Sequence, residues 1–398
     1  MTISFLNLKN SNGKVTFEIK SDQNNPIDIS VINGIRRTIL NDVPTVGIPQ
    51  EQILIEKNET SLHNEFMKHR ISMIPLYIDP LKYNNDYLFV LHVENKTDAP
   101  ITITTEDFKI HPLKKELQNK SDLAINMENY DMNIEISEKL KQDILRPFKI
   151  DTIISYIIIT ELKNKTSYNE YQTFKCNFIP KIGTGKQNTL FNNIAQCSYN
   201  YRENKKALKD AIQEELKIKS IDSELDKKIF QKEFTNSYSQ RYYYRNYDNI
   251  PYWFDFVIKS NHYFKSGKCF EIALEILIDK LNLCSNNFKL INLDSDKSRY
   301  SIEIKNKQLY FMLNDENDTI GNILQSHISN NINEKSIITC CGYKKTHPLE
   351  EVIKLIISHK MLDEIDDATI ISKVIFSICE NIDEIINILQ EMVKKYKK

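Results

Sequence analysis

The chain opens with two alternating segments followed by a stripe of apolar residues at helical spacing. ISFLNL and KVTFEIK alternate between apolar and polar residues, and residues 30–42 then place Ile32, Ile35 and Ile39 on one face. A change from period two to period 3.6 predicts two strands followed by an amphipathic helix. Pro44 ends this helix, because the residue before a proline is disfavoured in the α conformation.

The last hundred residues repeat this order of elements. RYSIEIK and QLYFML predict two strands, SIITCCGYKK and VIKLIISHK predict two more, and helices are predicted at 319–332 and 367–396. The apolar positions that define these two helices are Ile320, Ile323, Leu324, Ile328, Ile375, Ile378, Ile382, Ile385 and Leu389. The final helix alternates steps of three and four residues, a spacing that requires a partner helix.

The middle of the chain predicts a β-rich insert and a second long helix. Residues 48–181 contain several strand-like runs, among them QILIE, YLFVLHVE and ITITTEDFKI, with a looser polar part near 114–135. YWFDFVIKS predicts a strand, and Leu274, Leu277 and Leu281 define a helix over 268–283. The mixed-charge segment 202–248 predicts a helix at 204–218 and a mobile tail.

These patterns predict an α+β fold. The predicted domains are a discontinuous sheet-and-helix dimerisation domain (1–47 and 182–285), the β-rich insert (48–181), a linker (286–298) and a small α+β domain (299–398) that pairs with the first pseudo-symmetrically. The linker rests on the weak periodicity of LCSNNFKLINLDSDKSR. We expect helices 30–42, 268–283, 319–332 and 367–396 to pack together.

Composition narrows the class of partner. A net charge of -1 provides no global basic field for phosphates, so no direct sequence-specific nucleic acid contact is expected. No apolar run approaches the roughly 18 residues that span a bilayer, and no membrane partner is expected. Seven cysteines, none before Cys176 and none in a C-x-x-C pair, indicate a reducing compartment and predict neither a metal site nor a cofactor.

The stretch HNEFMKHRISMIPL looks reactive but predicts architecture. His63 and His69 are six residues apart, whereas helical zinc ligands are four apart. We interpret the stretch as a helix whose His and Arg bond nearby carbonyls, followed by a strand entered through Ile74-Pro75-Leu76.

Gly183-Thr184-Gly185-Lys186 invites comparison with a phosphate-binding loop. Pro180 stands where the first glycine of that motif belongs, and Gln187 replaces its hydroxyl residue. A tight return between domains is the preferred interpretation, and a nucleotide-binding enzyme remains the alternative.

Other candidate reactive groups are no more persuasive. Cys340 and Cys341 face opposite sides of a predicted strand and cannot chelate one ion as a pair. Asp294-Ser295-Asp296 and Asp366-Asp367 lie in the predicted linker and helix start, and we expect no catalytic residue.

Arg36 and Arg37 differ from these groups because they suggest docking instead of catalysis. Arg37 lies opposite the Ile stripe, and its guanidinium suits docking of carboxylates on another protein. A solubilising surface arginine is the equal alternative.

Two long motifs carry a family resemblance. ISVINGIRRTILNDVPTVGIPQEQILIEKNETSLHNEFMKHRISMIPL resembles the signature of alpha-like subunits of DNA-directed RNA polymerase, in particular the third subunit. NDENDTIGNILQSHI and CCGYKKTHPLEEVIKLII resemble the eleventh, small alpha-like subunit. The two resemblances cover about residues 1–285 and 298–398. A single-chain fusion of this kind resembles the polymerase subunit of large nucleocytoplasmic DNA viruses.

The resemblance implies a non-catalytic assembly subunit whose partners are the largest, second-largest and small polymerase subunits. It implies subunit docking by Arg36, Arg37, His69 and Arg70, and intramolecular dimerisation by the apolar stripes given above. If the chain is viral, host cytoplasm (the viral factory) and the virion are the expected locations, otherwise the nucleus. A virion structural protein is a further alternative.

Two departures from the family pattern have consequences. Many third subunits carry a cysteine-rich metal site in the insert, and its absence here implies no metal. The family usually has alanine where Gly34 stands and glycine where Ser72 stands. A mid-helix glycine costs about 0.5–1 kcal/mol relative to alanine, so helix 30–42 should depend on packing.

Overall fold

The computed structural model divides the chain into two compact units. It describes residues 3–11, 13–114, 127–165, 171–220, 223–293, 298–305, 308–360 and 367–397. The first unit comprises Met1–Ile39, Gln196–Lys259 and Ser266–Lys398, and the second comprises Leu40–Ala195 and Ser260–Lys265. Each unit has its own sheets and helices.

Helices and strands alternate along the described residues, and the α+β class is confirmed. The helices are α1 (Ile29–Asn41), α2 (Asn64–Ser72), α3 (Glu138–Ile144), α4 (Lys205–Ile218), α5 (Glu224–Tyr238), α6 (Ser266–Leu293), α7 (Asp318–Asn330) and α8 (Asp367–Tyr396). The strands are β1 (Ser4–Ser11), β2 (Lys14–Lys20), β3 (Pro44–Gly47), β4 (Leu54–Asn58), β5 (Tyr87–Asn95), β6 (Ile101–Thr104), β7 (Lys109–Pro112), β8 (Phe148–Ile150), β9 (Ile153–Ser155), β10 (Ile158–Leu162), β11 (Gln172–Phe178), β12 (Lys181–Thr184), β13 (Ile194–Tyr201), β14 (Trp253–Ser260), β15 (Tyr300–Lys305), β16 (Gln308–Asn314), β17 (Ile338–Lys345) and β18 (Val352–His359).

The first unit contains two four-stranded sheets with one strand order. The N-terminal module (β1, β2, α1, β13, β14 and α6) has the order β1-β2-β14-β13, and the C-terminal module (β15 to β18, α7 and α8) has the order β15-β16-β18-β17. In each module a short helix follows the second strand and a long helix follows the fourth. Counted within each module, the order is first, second, fourth, third in both.

Alternation along the strands places the core on one face of each sheet. Phe256 of β14 lies opposite Phe17 of β2, and both side chains are buried. In the C-terminal module Phe311 of β16 lies opposite Leu355 of β18, and both are fully buried. The remaining face of each sheet carries the polar and partly exposed residues, as period-two strands require.

Residues 286–293, expected to begin a linker, continue α6 instead. Cys284 and Phe288 are fully buried, and Ser285 and Asn287 are at most 5% exposed. Tertiary packing therefore extends the helix through a sequence with weak helical periodicity. Asp294, Ser295 and Asp296 lie outside the described residues, as does Asp366.

The mixed-charge segment contains two helices. α4 confirms the helix predicted at 204–218, whereas α5 replaces the mobile tail, which was wrong. Leu208 and Ile212 of α4 pack against Phe234 of α5, with Phe230 and Tyr242 at the margin. This small apolar cluster explains why α5 forms despite its many charged residues.

The second unit is built on the sheet β4-β11-β5-β7, with β3 paired to β12, β6 to β10 and β8 to β9. Phe89, Phe108 and Phe178 pack edge-on or stacked at the centre of this unit.

α2 confirms the predicted helix, but the strand expected after it does not form. Leu76 is buried while Tyr77 donates its N–H to Ile144 O (3.0 Å) in a non-strand segment. Pro75 lacks the N–H that a strand ladder needs, which disfavours pairing at this position.

None of the helices in the described parts combines the length and the apolarity that a membrane crossing requires.

Candidate assembly interface between the two modules

The long helices α6 and α8 pack against each other along much of their length. Near the middle of the pair, Cys379 Sγ of α8 lies 3.8 Å from Ser285 O of α6. Burial raises the pKa of the neighbouring Cys284 thiol well above its usual range, which keeps it protonated and unreactive. The partner helix that the apolar spacing of α8 requires is therefore α6.

The C-terminal end of α8 reaches the sheet of the N-terminal module. The ring of Tyr396 lies 5.3 Å from Phe5, 5.5 Å from Phe17 and 4.7 Å from Phe270 between centroids. A Cβ at Gly267 would lie 3.0 Å from the hydroxyl of Tyr396, so the glycine leaves room for the end of this side chain. Burial raises the pKa of Tyr396 to about 12. The end of the chain is thus packed into the other module's aromatic core.

The C-terminal end of α6 makes the reciprocal contact. Phe288 is fully buried, with its ring 5.1 Å from Tyr300 and 5.5 Å from Phe311 of the C-terminal sheet. The Tyr300 hydroxyl donates to Glu316 Oε1 at 2.8 Å and so satisfies its polar group at this junction. Each long helix therefore ends against the first strands of the opposite module.

The short helices α1 and α7 meet at Gly34. A Cβ at this position would lie 2.6 Å from Ile323 Cδ1 and 3.6 Å from Thr319 Cγ2. The missing side chain thus leaves room for Ile323 of α7, and this packing offsets the conformational cost of the glycine, as expected for this helix.

Asp28 joins the two short helices by hydrogen bonds. Its Oδ1 accepts the N–H of Ser30 at 2.7 Å, in the manner of a helix cap. Its Oδ2 accepts two hydrogen bonds, one from the Ser326 hydroxyl at 2.7 Å and one from Asn330 Nδ2 at 2.6 Å. One carboxylate thus stabilises the start of α1 and ties it to α7. The apolar stripes gave no sign of this polar contact.

The structure buries every residue predicted for intramolecular dimerisation to 2% exposure or less. These residues are Ile32, Ile35, Ile39, Leu274, Leu277, Leu281, Ile320, Ile323, Leu324, Ile328, Ile375, Ile378, Ile382, Ile385 and Leu389. Burial places them in the core of the first unit. The assignment of each to the pairing interface stays a prediction, apart from the direct approach of Ile323 to Gly34.

The two arginines predicted for docking lie on α1 but differ in environment. Arg36 Nε donates to Asn33 Oδ1 at 3.0 Å. Arg37 is half-buried, and its Nε is shielded from solvent without a hydrogen-bond partner among the described residues. Burial raises the pKa of Tyr343 on β17, and nearby Arg37 opposes that rise. Arg37 is therefore near enough to Tyr343 to influence it electrostatically, and its role in docking stays a prediction.

His69 and Arg70 belong to the second unit. His69 is exposed on α2, and Arg70 donates from Nε to Ile159 O at 2.8 Å and from Nη2 to Ile158 O at 3.0 Å. The interpretation of basic side chains bonding nearby carbonyls is confirmed for Arg70. Within the described ranges, no group of three or more His, Cys, Asp or Glu side chains is placed to hold a metal ion.

The Gly183–Lys186 segment has the geometry of a packed turn. The position of a Cβ on Gly183 is occupied by the Phe191 ring, and one on Gly185 would lie 2.6 Å from Leu40 O. Lys186 donates its N–H to Asn41 O at 2.9 Å, and a short 3₁₀ turn follows at Thr189–Phe191. A phosphate loop presents free N–H groups at a helix N-terminus, which this segment does not do.

Comparison with known proteins agrees with the family resemblance of the sequence. Residues 308–395, from β16 into α8, match the family model of the RNA polymerase Rpb3/Rpb11 dimerisation domain. The matched region thus covers most of the C-terminal module.

Individual relatives are named as polymerase subunits. The chain is 33% identical over 95 residues to the DNA-directed RNA polymerases I and III subunit rpac1 of Dictyostelium discoideum, an alignment covering 24% of each chain. It is 36% identical over 81 residues to the DNA-directed RNA polymerase subunit Rpo3 of Methanocaldococcus jannaschii, covering 20% of this chain and 39% of that one. It is 43% identical over 49 residues to subunit 3 of the DNA-directed RNA polymerases II, IV and V of Arabidopsis thaliana, covering 12% and 15%. Each alignment spans less than half of the relative.

Proposed function

We propose that the protein is a non-catalytic assembly subunit of a multisubunit DNA-directed RNA polymerase, in which one chain supplies a pair of alpha-like modules. The observation that carries this proposal is the shared strand order of the two modules, joined through the reciprocal ends of α6 and α8. The match to the Rpb3/Rpb11 dimerisation domain supports the same interpretation.

The proposed pairing is pseudo-symmetric. Phe288 of α6 packs on the C-terminal sheet and Tyr396 of α8 packs on the N-terminal sheet, as a rotation that exchanges the modules requires. Covalent fusion makes this pairing intramolecular, which fixes its stoichiometry and raises the effective concentration of each module for the other.

The proposed partners are the largest and second-largest polymerase subunits, together with small subunits of the same enzyme. Nucleotidyl transfer would then belong to the large subunits, and this chain would provide the platform on which they assemble. We further propose a fusion of the kind found in large nucleocytoplasmic DNA viruses. The corresponding locations are the viral factory in the host cytoplasm and the virion, or the nucleus for a cellular protein.

Affinity purification of the tagged full-length chain from its native source tests the proposal. Mass spectrometry should identify the two largest polymerase subunits in near-stoichiometric amounts. Isolation of the chain without any large polymerase subunit would overturn the proposal and favour a virion structural protein. Saturable ATP binding that is lost in Lys186→Ala would favour the nucleotide-binding alternative, which the packed turn at Gly185 argues against.

The docking role of Arg37 has its own test. Arg37→Glu reverses one charge on α1 and should reduce recovery of the second-largest subunit. Lys209→Glu, which makes the same change at an exposed position of α4, is the matched control. Because Arg37 is half-buried and its Nε is shielded from solvent, the unfolding midpoint of both variants is measured alongside. Unchanged recovery with Arg37→Glu would remove this residue from the docking surface.

A further inference from the structure

The outer face of the C-terminal sheet places two lysines directly opposite each other. Lys354 of β18 pairs in register with Lys344 of β17 and, on its other side, with Met312 of β16. These positions alternate with the fully buried Phe311 and Leu355, so their side chains point away from the core. Like charges at directly opposite positions of an antiparallel pair destabilise it, and two lysines therefore favour an anion between them.

The N-terminal sheet contains a like-charge pair that the chain itself neutralises. Glu18 of β2 lies directly opposite Asp255 of β14. Arg202 Nη1 lies 3.2 Å from Glu18 Oε1 and 3.1 Å from Asp255 Oδ1, so one guanidinium bridges both carboxylates. A single ion of opposite charge thus offsets the repulsion between two opposite side chains in this sheet.

The lysine pair has no such ion in the described parts of the chain. Neither Lys344 nor Lys354 takes part there in an ion pair or a hydrogen bond. Glu303, on the same face of the sheet, is held by Lys305 at 2.6 Å. This hydrogen bond is the main reason that the pKa of Glu303 is lowered, and Lys354 contributes the least to that shift. Glu303 is therefore already engaged.

The turn between β17 and β18 does not supply the counter-ion either. Glu350 accepts a hydrogen bond from the Thr346 hydroxyl at 3.4 Å, and neither Glu350 nor Glu351 forms an ion pair with the two opposed lysines. The cation in this region that has a partner is Lys345, whose Nζ donates to Pro348 O at 2.9 Å.

The surface beside the lysine pair is apolar and open. Met312 and Ile356 are partly buried neighbours of Lys354 on the same face. Gly342 lies directly opposite Ile356, and a Cβ at this glycine would have no atom within 4 Å. An apolar floor beside charged groups suits another protein better than the phosphates of a nucleic acid.

We propose that this face docks an Asp or Glu carboxylate presented by an extended segment of a partner protein. The carboxylate would lie between Lys344 and Lys354, and apolar side chains of the same segment would cover Met312 and Ile356. That the partner is another polymerase subunit rests on the proposed function, whereas the preference of the face for a carboxylate does not.

The test uses the purified full-length chain and two blocked peptides. Acetyl-Val-Ala-Glu-Ala-Val-amide places Val, Glu and Val on one side when extended, and acetyl-Val-Ala-Gln-Ala-Val-amide is its neutral match. NMR of ¹³C-labelled methionine methyl groups follows each titration, with Met312 assigned from Met312→Leu. We expect a saturable shift at Met312 with the Glu peptide and none with the Gln peptide.

Variants separate the lysine pair from net charge. Lys344→Gln and Lys354→Gln should each weaken binding of the Glu peptide by roughly threefold to fivefold, the range of a partly exposed ion pair. Lys344→Arg keeps the charge and should retain binding. Lys209→Gln, the same loss of charge at an exposed position of α4, should leave binding unchanged.

An equal shift with the Gln peptide, or no shift of Met312 with the Glu peptide, would overturn the inference. The same holds if Lys209→Gln weakens binding as much as Lys344→Gln, since the effect would then be one of net charge. Saturation of the Met312 shift by octathymidylate at lower concentration than by the Glu peptide would favour a nucleic acid instead. None of these outcomes depends on recovery of polymerase subunits, so failure here and failure of the proposed function are distinguishable.

Discussion

The two sheets of the first unit share a strand order but differ in what interrupts them. In the N-terminal module the residues Leu40–Ala195 of the second unit separate α1 from most of β13, and α4 and α5 separate β13 from β14. In the C-terminal module α7 ends at Asn330 and β17 already begins at Ile338. The closure entropy of a loop grows only slowly with its length. The comparison teaches that the order of the strands and the apolar helix faces define this architecture, and that its connections can vary widely.

The ends of the two long helices differ in chemistry. Phe288 at the end of α6 is fully buried and wholly apolar, whereas Tyr396 at the end of α8 is half-buried and carries a hydroxyl. If both ends hold the modules together, the apolar end should contribute more to stability, because it removes more apolar surface from water.

The largest effect is expected for Phe288→Ala. Truncation of a fully buried phenylalanine leaves a cavity and costs about 3–5 kcal/mol. Urea unfolding followed by circular dichroism measures the loss of unfolding free energy. Phe376→Ala on α8, where the side chain is 65% exposed, is the control and should change stability by less than about 0.5 kcal/mol. Similar midpoints for the two variants would show that α6 does not anchor the C-terminal sheet.

The approach of the short helices is tested by Gly34→Leu. A side chain here meets Ile323, and overpacking of a core typically costs about 1–3 kcal/mol. Adding Ile323→Ala should recover part of the loss, because it vacates the space that the new side chain needs. Gly342→Leu is the control, since no atom lies within 4 Å of a Cβ at that glycine. A loss as large at Gly342 as at Gly34 would point to backbone effects instead of helix contact.

Much of the architecture was predictable because its signals are local. The strands at 14–20 and 352–359 alternate, and α8 has a long apolar seam, so its observed bounds equal the predicted 367–396. The burial of the stripe residues follows from the same periodicity. Opposite exposure of Cys340 and Cys341 on β17 was likewise predictable from strand alternation.

What sequence reasoning missed depends on contacts between distant residues. β13 has the sequence IAQCSYNY, whose polar outer face resembles a loop, and it forms a strand by pairing with β14. The end of α6 needs Tyr300 and Phe311 to bury Phe288. Asp28 could be recognised as a helix cap from its place before Ser30, but its bonds to Ser326 and Asn330 join residues about 300 positions apart.

The polar contact between the short helices predicts a smaller effect than the two packing changes. Asp28→Ala removes the cap of α1 and the acceptor of Ser326 and Asn330, for a loss of about 1–2 kcal/mol in unfolding free energy. Ser326→Ala removes one of these bonds and should cost less. Thermal unfolding of both variants measures the order. An equal loss in the two would mean that the cap of α1 and the bond from Asn330 contribute little, and that the bond from Ser326 carries the effect.

The smallest effect, and the one most specific to the end of α8, is expected for Tyr396→Phe. Near neutral pH the variant should match the parent, because the aromatic contacts with Phe5, Phe17 and Phe270 remain. The pKa of Tyr396 is raised by burial to about 12, whereas an unfolded tyrosine titrates near about 10. Between these values the unfolded chain releases a proton that the folded chain retains, so the parent loses stability as pH rises. The variant lacks this loss, and the difference in urea midpoint between parent and variant should open above pH of about 10. Tyr247→Phe, at a side chain that is 92% exposed, should follow the parent throughout. Parallel curves for Tyr396→Phe and the parent would show that the hydroxyl of Tyr396 remains solvated in the folded protein, and that the two helix ends differ less than their burial indicates.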